Sequence, residues 1–285
     1  MSILLAVSGW DPEAWRARLK PVLPRHPVAI LGESFDRATT RYALSWRHPP
    51  GSLADLPELR AIFSLGAGVD HLFADPALPD RPIVRVVDPD LRDRMSEWVV
   101  MHALIHLRQL KRYERQQRGR LWDDDPNQPR AAEVNAGVLG LGVMGMDAAM
   151  KLKALLAKTD ILVVLLPLTE ETRGILSASL FARLKQGGRL GGPALINAGR
   201  GGLQVEADIL AALDSGALKG ASLDVFEREP LPKDSRLWAH PAVFVSPHNA
   251  AVSSPEATAA FVARQIEAYE RGEPLAHLVD RRRGY

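Results

Sequence analysis

Residues 136–145 read Ala136-Gly137-Val138-Leu139-Gly140-Leu141-Gly142-Val143-Met144-Gly145. The residues before Gly140 predict a strand, and those from Met146 to Leu152 are compatible with a helix. Between a strand and a helix, the G-x-G-x-x-G spacing lets backbone amides approach a pyrophosphate at the helix N-terminus. Glycine turns that bind nothing are common, so the prediction of a binding site depends on the strand before the turn and the helix after it. We expect a dinucleotide site at Gly140, Gly142, Val143, Met144 and Gly145.

Short apolar runs alternate with amphipathic stretches along the whole chain, which predicts an α/β fold with parallel sheets. We expect a long helix from Ser96 towards Arg118 and a last helix over Pro255–Arg271. The predicted fold is two Rossmann-like doubly wound domains with the active site in the cleft between them. We expect residues 1–96 plus 253–285 to form the substrate domain and residues 97–252 to form the dinucleotide-binding domain. Strands are predicted at Ile3–Val7, Val28–Ile30, Tyr42–Ser45, Ala61–Ser64, Ile83–Val86, Ala136–Leu139, Asp160–Leu166, Ala194–Ile196, Gly220–Leu223 and Val243–Val245.

The composition narrows the function classes. The 285 residues contain no cysteine, which excludes disulfides, thiolate metal sites and a cysteine nucleophile. The formal net charge of +2 is too small to indicate a nucleic-acid-binding protein. The apolar run at Ile3–Val7 is too short for a signal peptide, and no run approaches the ~20 residues that span a bilayer. We expect a cytoplasmic protein that binds neither nucleic acid nor membrane.

The sequence after the glycine turn is too short to contain the second βα unit that is expected in the second domain. A ribose-contacting residue normally ends the second strand about 20 residues after the glycine turn. Asp160 has that spacing, but it precedes an apolar strand and should lie at the wrong end of the sheet. Either one βα unit is truly deleted near residues 151–158, or residues are missing from the printed sequence there. The second explanation is favoured, because deleting an interior strand exposes a sheet edge.

Three polar side chains follow predicted strands at the end where parallel α/β sheets bind ligands. Arg200 offers a planar cation for a carboxylate or a polarised carbonyl, although a surface arginine that caps a helix is the alternative. Glu229 can orient an imidazole and stabilise its protonated form, although a solvated loop residue has the same pattern. His248 is the one histidine after a strand end. His102 and His106 have metal-ligand spacing, but without a third ligand packing is favoured and no metal site is predicted.

The motifs around these residues resemble the D-isomer-specific 2-hydroxyacid dehydrogenase family over nearly the whole chain. They are Gly140–Gly145, Pro167–Thr172, Asn197–Gly201, Leu223–Pro230 and Ser246–Ala250. Leu65–Asp70 and Val279–Tyr285 resemble its glyoxylate/hydroxypyruvate reductase A branch.

The resemblance implies a role for each position. His248 is the general acid/base, Glu229 its carboxylate partner, and Arg200 the residue that holds the substrate carboxylate and carbonyl. It implies a substrate pocket at Ala67, Gly68, Val69 and Trp46, although a packed core tryptophan is the alternative for Trp46. It implies cofactor contacts at Leu166, Pro167, Thr172, Ala198 and Asp224.

We therefore expect an oxidoreductase that transfers a hydride from NADPH or NADH to a small 2-keto acid such as glyoxylate or hydroxypyruvate. The resemblance favours NADPH and implies a homodimer. The alternatives are a non-catalytic nucleotide sensor on the same fold and a family relative that acts on another hydroxy acid such as 3-phosphoglycerate.

Overall fold

The computed structural model describes residues 2–125, 128–140, 158–251 and 253–285. The chain divides into two compact units, Met1–Arg92 with Val252–Tyr285 and Asp93–Ala251. The predicted domains change at residues 96 and 252, within a few residues of these divisions. The substrate and cofactor roles given to the two domains stay predictions. Within the described ranges, no helix combines the length and the apolar character that a bilayer crossing requires.

The first unit is a parallel sheet covered by helices and apolar loops. The strand order is β2-β1-β3-β4-β5. Its elements are β1 Ser2–Val7, α1 Pro12–Val22, β2 Val28–Ile30, β3 Thr40–Trp46, β4 Ala61–Ser64, α2 Asp70–Phe73, β5 Ile83–Arg85 and α7 Pro255–Glu270. One face packs against α1 and α7 through Leu19, Val262 and Ile266. The other packs against Leu53 and Leu72. Burial on both faces explains why these strands read as continuous apolar runs.

The second unit has the same architecture, with strand order β10-β9-β8-β7-β6 and parallel pairing throughout. Its elements are α3 Pro89–Leu107, α4 Leu110–Arg118, β6 Ala136–Leu139, β7 Ile161–Val164, α5 Ala178–Phe181, β8 Ala194–Asn197, α6 Glu206–Asp214, β9 Gly220–Leu223 and β10 Val243–Val245. The ten predicted strands all form, within two residues at each end. The predicted fold class, two Rossmann-like α/β domains, is confirmed.

The single long helix predicted from Ser96 to Arg118 is wrong in two respects. The helix already begins at Pro89, which suits a first helical turn because proline has no N–H to leave unpaired. It ends at Leu107, because Gln109 has a φ of 53° and cannot continue a right-handed helix. Met101 and Leu110, two large apolar residues of this stretch, are each 48% exposed and do not join the core of the unit.

The last helix forms close to its predicted range. Ser254 caps its N-terminus by accepting a hydrogen bond from the N–H of Ala257, and Pro255 occupies the first turn. Phe261, Val262 and Ile266 are buried. The helix therefore belongs to the core of the first unit.

The connection from β6 to β7 is as short as the sequence indicates. The two explanations, residues missing between Lys151 and Lys158 or a true deletion, both stay predictions, because most of that stretch lies outside the described residues. In the described part of the sheet β6 is the outermost strand, and at four residues it is short, which limits the cost of an edge.

Asp160 lies at the amino end of β7, as predicted. Its Oδ2 accepts a hydrogen bond of 3.0 Å from the N–H of Asn135, the residue before β6. Its Oδ1 lies 2.9 Å from Nζ of Lys185. Asp160 thus ties two strand starts together at the end of the sheet opposite to the ligand-binding end.

Two histidines, the buried His102 and the half-buried His106, join α3 to β9. Nδ1 of His102 lies 2.8 Å, and Nε2 of His106 2.9 Å, from the hydroxyl of Ser222. This is the packing role that the sequence favoured over a metal site. Burial lowers the pKa of His102 to about 4, although the charge of Asp224 opposes the shift. Burial, with a contribution from His102, lowers the pKa of His106 to about 4. Both imidazoles are therefore neutral at neutral pH.

Lowering the pH from about 7.5 to about 5 is expected to destabilise the second unit by on the order of 2 kcal/mol per histidine. The unfolded chain protonates these imidazoles near pH 6.5, but the folded chain only near pH 4. The contribution of the two neutral histidines to the free energy of unfolding is complete above pH 6.5 and is lost as the pH falls towards 4. Hydrogen exchange of the β9 amides at the two pH values measures the effect.

The control for this prediction is His277→Asn, which alters an exposed histidine and should keep the full acid sensitivity. The double variant His102→Asn/His106→Asn should show a smaller difference between the two pH values. Equal protection of β9 at both pH values in the unaltered protein contradicts the prediction.

Candidate active site

Three neighbouring strands of the second unit end where the predicted catalytic residues begin. Arg200 follows β8, Glu229 lies in the loop after β9, and His248 follows β10. Because β8, β9 and β10 are adjacent and parallel, their carboxyl ends form one edge of the sheet. The fold thus gathers at one edge residues that are far apart in sequence.

Glu229 and His248 form a direct pair. Nδ1 of His248 lies 2.8 Å from Oε2 of Glu229, and Oε1 of Glu229 accepts the N–H of Phe226 at 3.1 Å. The side chains are 35% and 24% exposed for His248 and Glu229. With Nδ1 held by a carboxylate, Nε2 is the nitrogen left to exchange a proton with a ligand. This is the arrangement of an oriented general acid.

The backbone at His248 is held in an uncommon conformation. Its φ is 54°, in the left-handed region that side chains other than glycine rarely adopt. Its N–H donates to the carbonyl of Asp224 at 2.8 Å. Such conformations persist only where neighbouring contacts impose them, and they are frequent at functional sites.

Asp224 supplies those contacts. Its Oδ1 accepts from the hydroxyl of Ser246 at 2.6 Å and from the N–H of Asn249 at 3.0 Å. Its Oδ2 accepts from the N–H of Ala250 at 3.0 Å. The buried carboxylate therefore fixes the loop that carries His248. A carboxylate has about four acceptor positions, and the three contacts leave one of them for the predicted cofactor contact, which stays a prediction.

The loop of Arg200 is built by buried polar residues. The side chain of Asn197 accepts from the N–H of Gly199 at 3.1 Å and donates to Gln204 at 2.8 Å. Gln204 in turn donates to the carbonyl of Val225 at 2.9 Å. The network thereby links the loop after β8 to the loop after β9, which carries Glu229. Nη1 of Arg200 donates to the carbonyl of Gly199 at 2.8 Å.

Gly140 occupies the close approach between the ends of β6 and β7. Its φ is 115°, and an added Cβ would lie 2.6 Å from the backbone of Leu165. Leu166 and Pro167 follow at the same edge, and Thr172 donates its hydroxyl to the carbonyl of Pro167 at 2.8 Å. Ala198 is buried directly after β8. The other predicted cofactor positions, Gly142, Val143, Met144 and Gly145, lie outside the described residues.

The predicted substrate residues of the first unit form a turn after β4. The hydroxyl of Ser64 donates to the carbonyls of Gly66 and Gly68, at 3.0 and 2.9 Å. Both carbonyls are thereby turned inward. Across the described ranges, the N–H groups of Ala67, Gly68 and Val69 donate no hydrogen bond to the chain. Successive free amides of this kind form an anion-binding nest.

Trp46 packs against this turn. Its ring lies on the backbone of Gly66, where an added Cβ would clash with it. The ring also stacks on Trp10 at 4.8 Å and meets His71 edge-on at 4.9 Å, and the guanidinium of Arg47 lies over it, 5.6 Å from its centroid. Trp46 is thus packed, as the core interpretation predicts, and it also lies beside the nest that is predicted to bind the substrate.

Sequence reasoning assigned no role to Asn197, Gln204, Ser246 or Ser64. Each shapes a loop at the carboxyl end of a strand through hydrogen bonds to backbone or side-chain groups. Asn197 and Ser64 are the last residues of β8 and β4 and are fully buried. A polar residue that closes an otherwise apolar strand was the available signal.

Comparison with known proteins places the chain. The model of the D-isomer specific 2-hydroxyacid dehydrogenase NAD binding domain matches residues 147–250. A solved structure of an NADPH-dependent glyoxylate/hydroxypyruvate reductase from Sinorhizobium meliloti, in complex with NADP and sulfate, is 45% identical. The alignment covers 100% of this chain and 99% of that one, with a TM-score of 0.90. The chain belongs to the D-isomer-specific 2-hydroxyacid dehydrogenases. The family predicted from the motifs is confirmed, and with it the class of enzyme.

Two further structures support the same assignment. A probable 2-hydroxyacid dehydrogenase from Rhizobium etli CFN 42, in complex with NADP, HEPES and L(+)-tartaric acid, is 43% identical, with 100% and 99% coverage and a TM-score of 0.91. A D-isomer specific 2-hydroxyacid dehydrogenase from Xanthobacter autotrophicus Py2, in complex with NADPH and MES, is 37% identical, with 99% and 100% coverage and a TM-score of 0.88. All three bind the phosphorylated cofactor.

Proposed function

We propose that this dehydrogenase reduces a small 2-keto acid, such as glyoxylate or hydroxypyruvate, to the 2-hydroxy acid with NADPH or NADH. The pairing of His248 with Glu229 at 2.8 Å, next to the loop of Arg200, carries the proposal. A binding module has no need for an oriented imidazole and a cation at the same sheet edge. The named activity of the Sinorhizobium relative supports the substrate class.

The described residues fit the nicotinamide half of the cofactor. The close backbone approach at Gly140 brings the ends of β6 and β7 together, where open α/β sheets bind a pyrophosphate. Leu166, Pro167, Thr172, Ala198 and Asp224 are the described residues that would hold the cofactor. When bound, the nicotinamide supplies the hydride. The position and the charge of the groups around it come from the protein.

In the proposed mechanism, Arg200 provides a permanent positive charge for the carbonyl oxygen on which negative charge develops. His248 donates a proton to that oxygen from Nε2, while Glu229 stabilises the charged imidazole and holds its orientation. Asp224 keeps the loop of His248 in place. In the first unit, the amides of Ala67, Gly68 and Val69 are proposed to receive the substrate carboxylate.

Reduction of a panel of 2-keto acids, followed as loss of NADPH or NADH absorbance, tests the function. We expect turnover with glyoxylate or hydroxypyruvate. Cofactor binding without turnover of any keto acid would favour the non-catalytic sensor instead. Turnover confined to the acid corresponding to 3-phosphoglycerate would favour the other family activity. A cytoplasmic location, where these cofactors and acids occur, fits the proposed reaction.

We further propose that the protein forms a homodimer. Large apolar side chains on α3, on α4 and just after α4 are exposed, and patches of this kind mark interfaces. They are Val100, Met101, Leu104, Leu110, Leu121 and the fully exposed Trp122. A second copy presents the same face, so a two-fold contact can bury both.

Sedimentation equilibrium at micromolar concentration is expected to give twice the 31.2 kDa mass of one chain. Met101→Lys combined with Leu104→Lys should give the single-chain mass, because a paired interface would bury uncompensated charges. Trp238→Ser alters an exposed tryptophan elsewhere and should leave the dimer intact. A single-chain mass for the unaltered protein refutes the dimer.

A further inference from the structure

A histidine that the proposed mechanism does not use lies behind the anion-binding nest of the first unit. His71 is the second residue of α2, two positions after the nest, and it is half-buried. Its Nε2 lies 3.2 Å from the hydroxyl oxygen of Ser64, and its Nδ1 accepts the N–H of Arg47 at 3.3 Å. Ser64 ends β4 and Arg47 follows β3, so one imidazole joins the loops after two neighbouring parallel strands.

These contacts determine which nitrogen of His71 carries the proton. A backbone N–H can only donate, so Nδ1 is an acceptor and the neutral imidazole has its proton on Nε2. Nε2 therefore donates to the hydroxyl of Ser64. Because a hydroxyl has one proton, that proton remains for the carbonyls of Gly66 and Gly68, at 3.0 and 2.9 Å. The opposite tautomer of His71 would compete for it.

The orientation of these two carbonyls sets the direction of two amides. In a trans peptide unit, the carbonyl of one residue and the N–H of the next point in opposite directions. The hydroxyl of Ser64 holds the carbonyls of Gly66 and Gly68 towards itself. The N–H groups of Ala67 and Val69 therefore point away from it. Two of the three amides of the nest are thus oriented by this hydroxyl.

We propose that His71 is a positioning residue for the substrate carboxylate. Its Nε2–H tautomer directs the proton of Ser64 to the carbonyls of the turn and so presents the amides of the nest to the anion. The proposal rests on the proposed function, in which the nest receives the carboxylate of the keto acid. A carboxylate keeps its charge during the reduction, so the nest binds the substrate and the transition state equally. Loss of the positioning then weakens substrate binding and leaves the chemical step unchanged.

The loop after β3 is also fixed without His71. Nδ1 of His48 lies 2.7 Å from the hydroxyl of Ser45, and its Nε2 lies 3.0 Å from Oδ2 of Asp75. Asp75 accepts the N–H of Gly51 at 2.9 Å. The three side chains of this network are buried. We therefore expect substitutions of the half-buried His71 to preserve the fold of the first unit.

Substitutions that keep or remove the donor at position 71 test the proposal. The amide nitrogen of glutamine can replace Nε2, so His71→Gln should keep KM for glyoxylate within about 3-fold of that of the unaltered enzyme. His71→Phe keeps an aromatic ring against Trp46 but has no donor. It should raise KM by about 10-fold or more and change kcat by less than about 2-fold. Calorimetric binding of oxamate, an unreactive analogue of glyoxylate, to the complex with NADPH should weaken by the same factor.

A second variant removes the hydroxyl that transmits the effect of His71. Ser64→Ala should raise KM as much as His71→Phe. The double variant should raise it no further, because both residues act through one chain of hydrogen bonds. The matched control is His277→Phe, at an exposed histidine of the first unit, which should leave KM and the affinity for oxamate unchanged. Binding of NADPH should be the same in all of these variants.

The outcomes separate this inference from the proposed function. Unchanged KM and oxamate affinity in His71→Phe and Ser64→Ala overturn the inference, as does failure of the unaltered protein to bind oxamate. Equal losses in His71→Gln and His71→Phe would show that the shape of the imidazole is needed and its donor is not. Additive effects in the double variant, or a fall in kcat at constant KM, also contradict it. Oxamate binding that depends on His71, without reduction of any keto acid, upholds this inference and refutes the proposed function instead.

Discussion

His248→Gln is expected to lower kcat for keto acid reduction by at least about 100-fold, the loss typical of a missing general acid. Glutamine keeps a polar side chain of similar reach, but it has no proton to transfer at neutral pH. The negative charge that develops on the substrate oxygen would then be neutralised only by water. Steady-state rates with glyoxylate or hydroxypyruvate measure the effect.

A backbone effect has to be separated from this loss. His248 has a φ of 54°, and asparagine tolerates that conformation better than other side chains. His248→Asn should therefore lose as much activity as His248→Gln while it preserves the loop. His277→Gln, at an exposed histidine, should retain full activity. A rate near that of the unaltered enzyme in both His248 variants means that another group donates the proton.

Glu229 provides an independent readout of the same pair. Its carboxylate lies 2.8 Å from Nδ1 of His248 and so holds the orientation of the imidazole ring. Glu229 therefore acts on the reaction through His248 and not by its own contact with the substrate. The two residues are thus expected to behave as one unit, with effects that do not add.

The strands could be predicted because of where they lie. Parallel strands that are buried on both faces, such as Ile161–Val164, are apolar runs bounded by polar or glycine-rich segments. The strand ends followed from the same pattern, and with them the positions of Arg200, Glu229 and His248. Neighbouring parallel strands place the residues that follow their carboxyl ends next to each other. This proximity does not depend on the sequence between the strands.

The break between α3 and α4 could not be predicted in the same way. It depends on the left-handed backbone of Gln109, a residue with an ordinary helix propensity. The side-chain amide of Gln109 donates to Asp125 at 2.6 Å, a contact between residues in separate segments. Tertiary contacts of this kind override local preference, and the apolar pattern of the sequence does not record them.

The role of Asp224 in fixing the loop of His248 could not be predicted from the sequence either. A carboxylate after a strand predicts a ligand contact, and the resemblance implied one with the cofactor. The structure shows that three donors from one loop already meet this side chain. Which donors reach a carboxylate depends on the path of that loop, and the same loop places His248 beside Glu229.

Arg200→Lys is expected to lower kcat/KM for the keto acid by about 100- to 1000-fold, which corresponds to about 3–4 kcal/mol of transition-state stabilisation. Lysine keeps the charge but loses the planar fork that can contact a carboxylate and a carbonyl together. It also loses the bond of 2.8 Å from Nη1 to the carbonyl of Gly199, which fixes the guanidinium beside the loop. The same assay at a series of keto acid concentrations separates kcat from KM.

The control for Arg200→Lys is Arg183→Lys, at an exposed position just after α5, which should change neither constant. Binding of NADPH or NADH should be unaffected in both variants, because the predicted contact of Arg200 is with the keto acid. A kcat/KM within about 5-fold of the unaltered enzyme would show that charge alone is needed at this position. Equal losses in donor binding and in turnover would instead show that Arg200 holds the loops at the ends of β8 and β9 rather than the substrate.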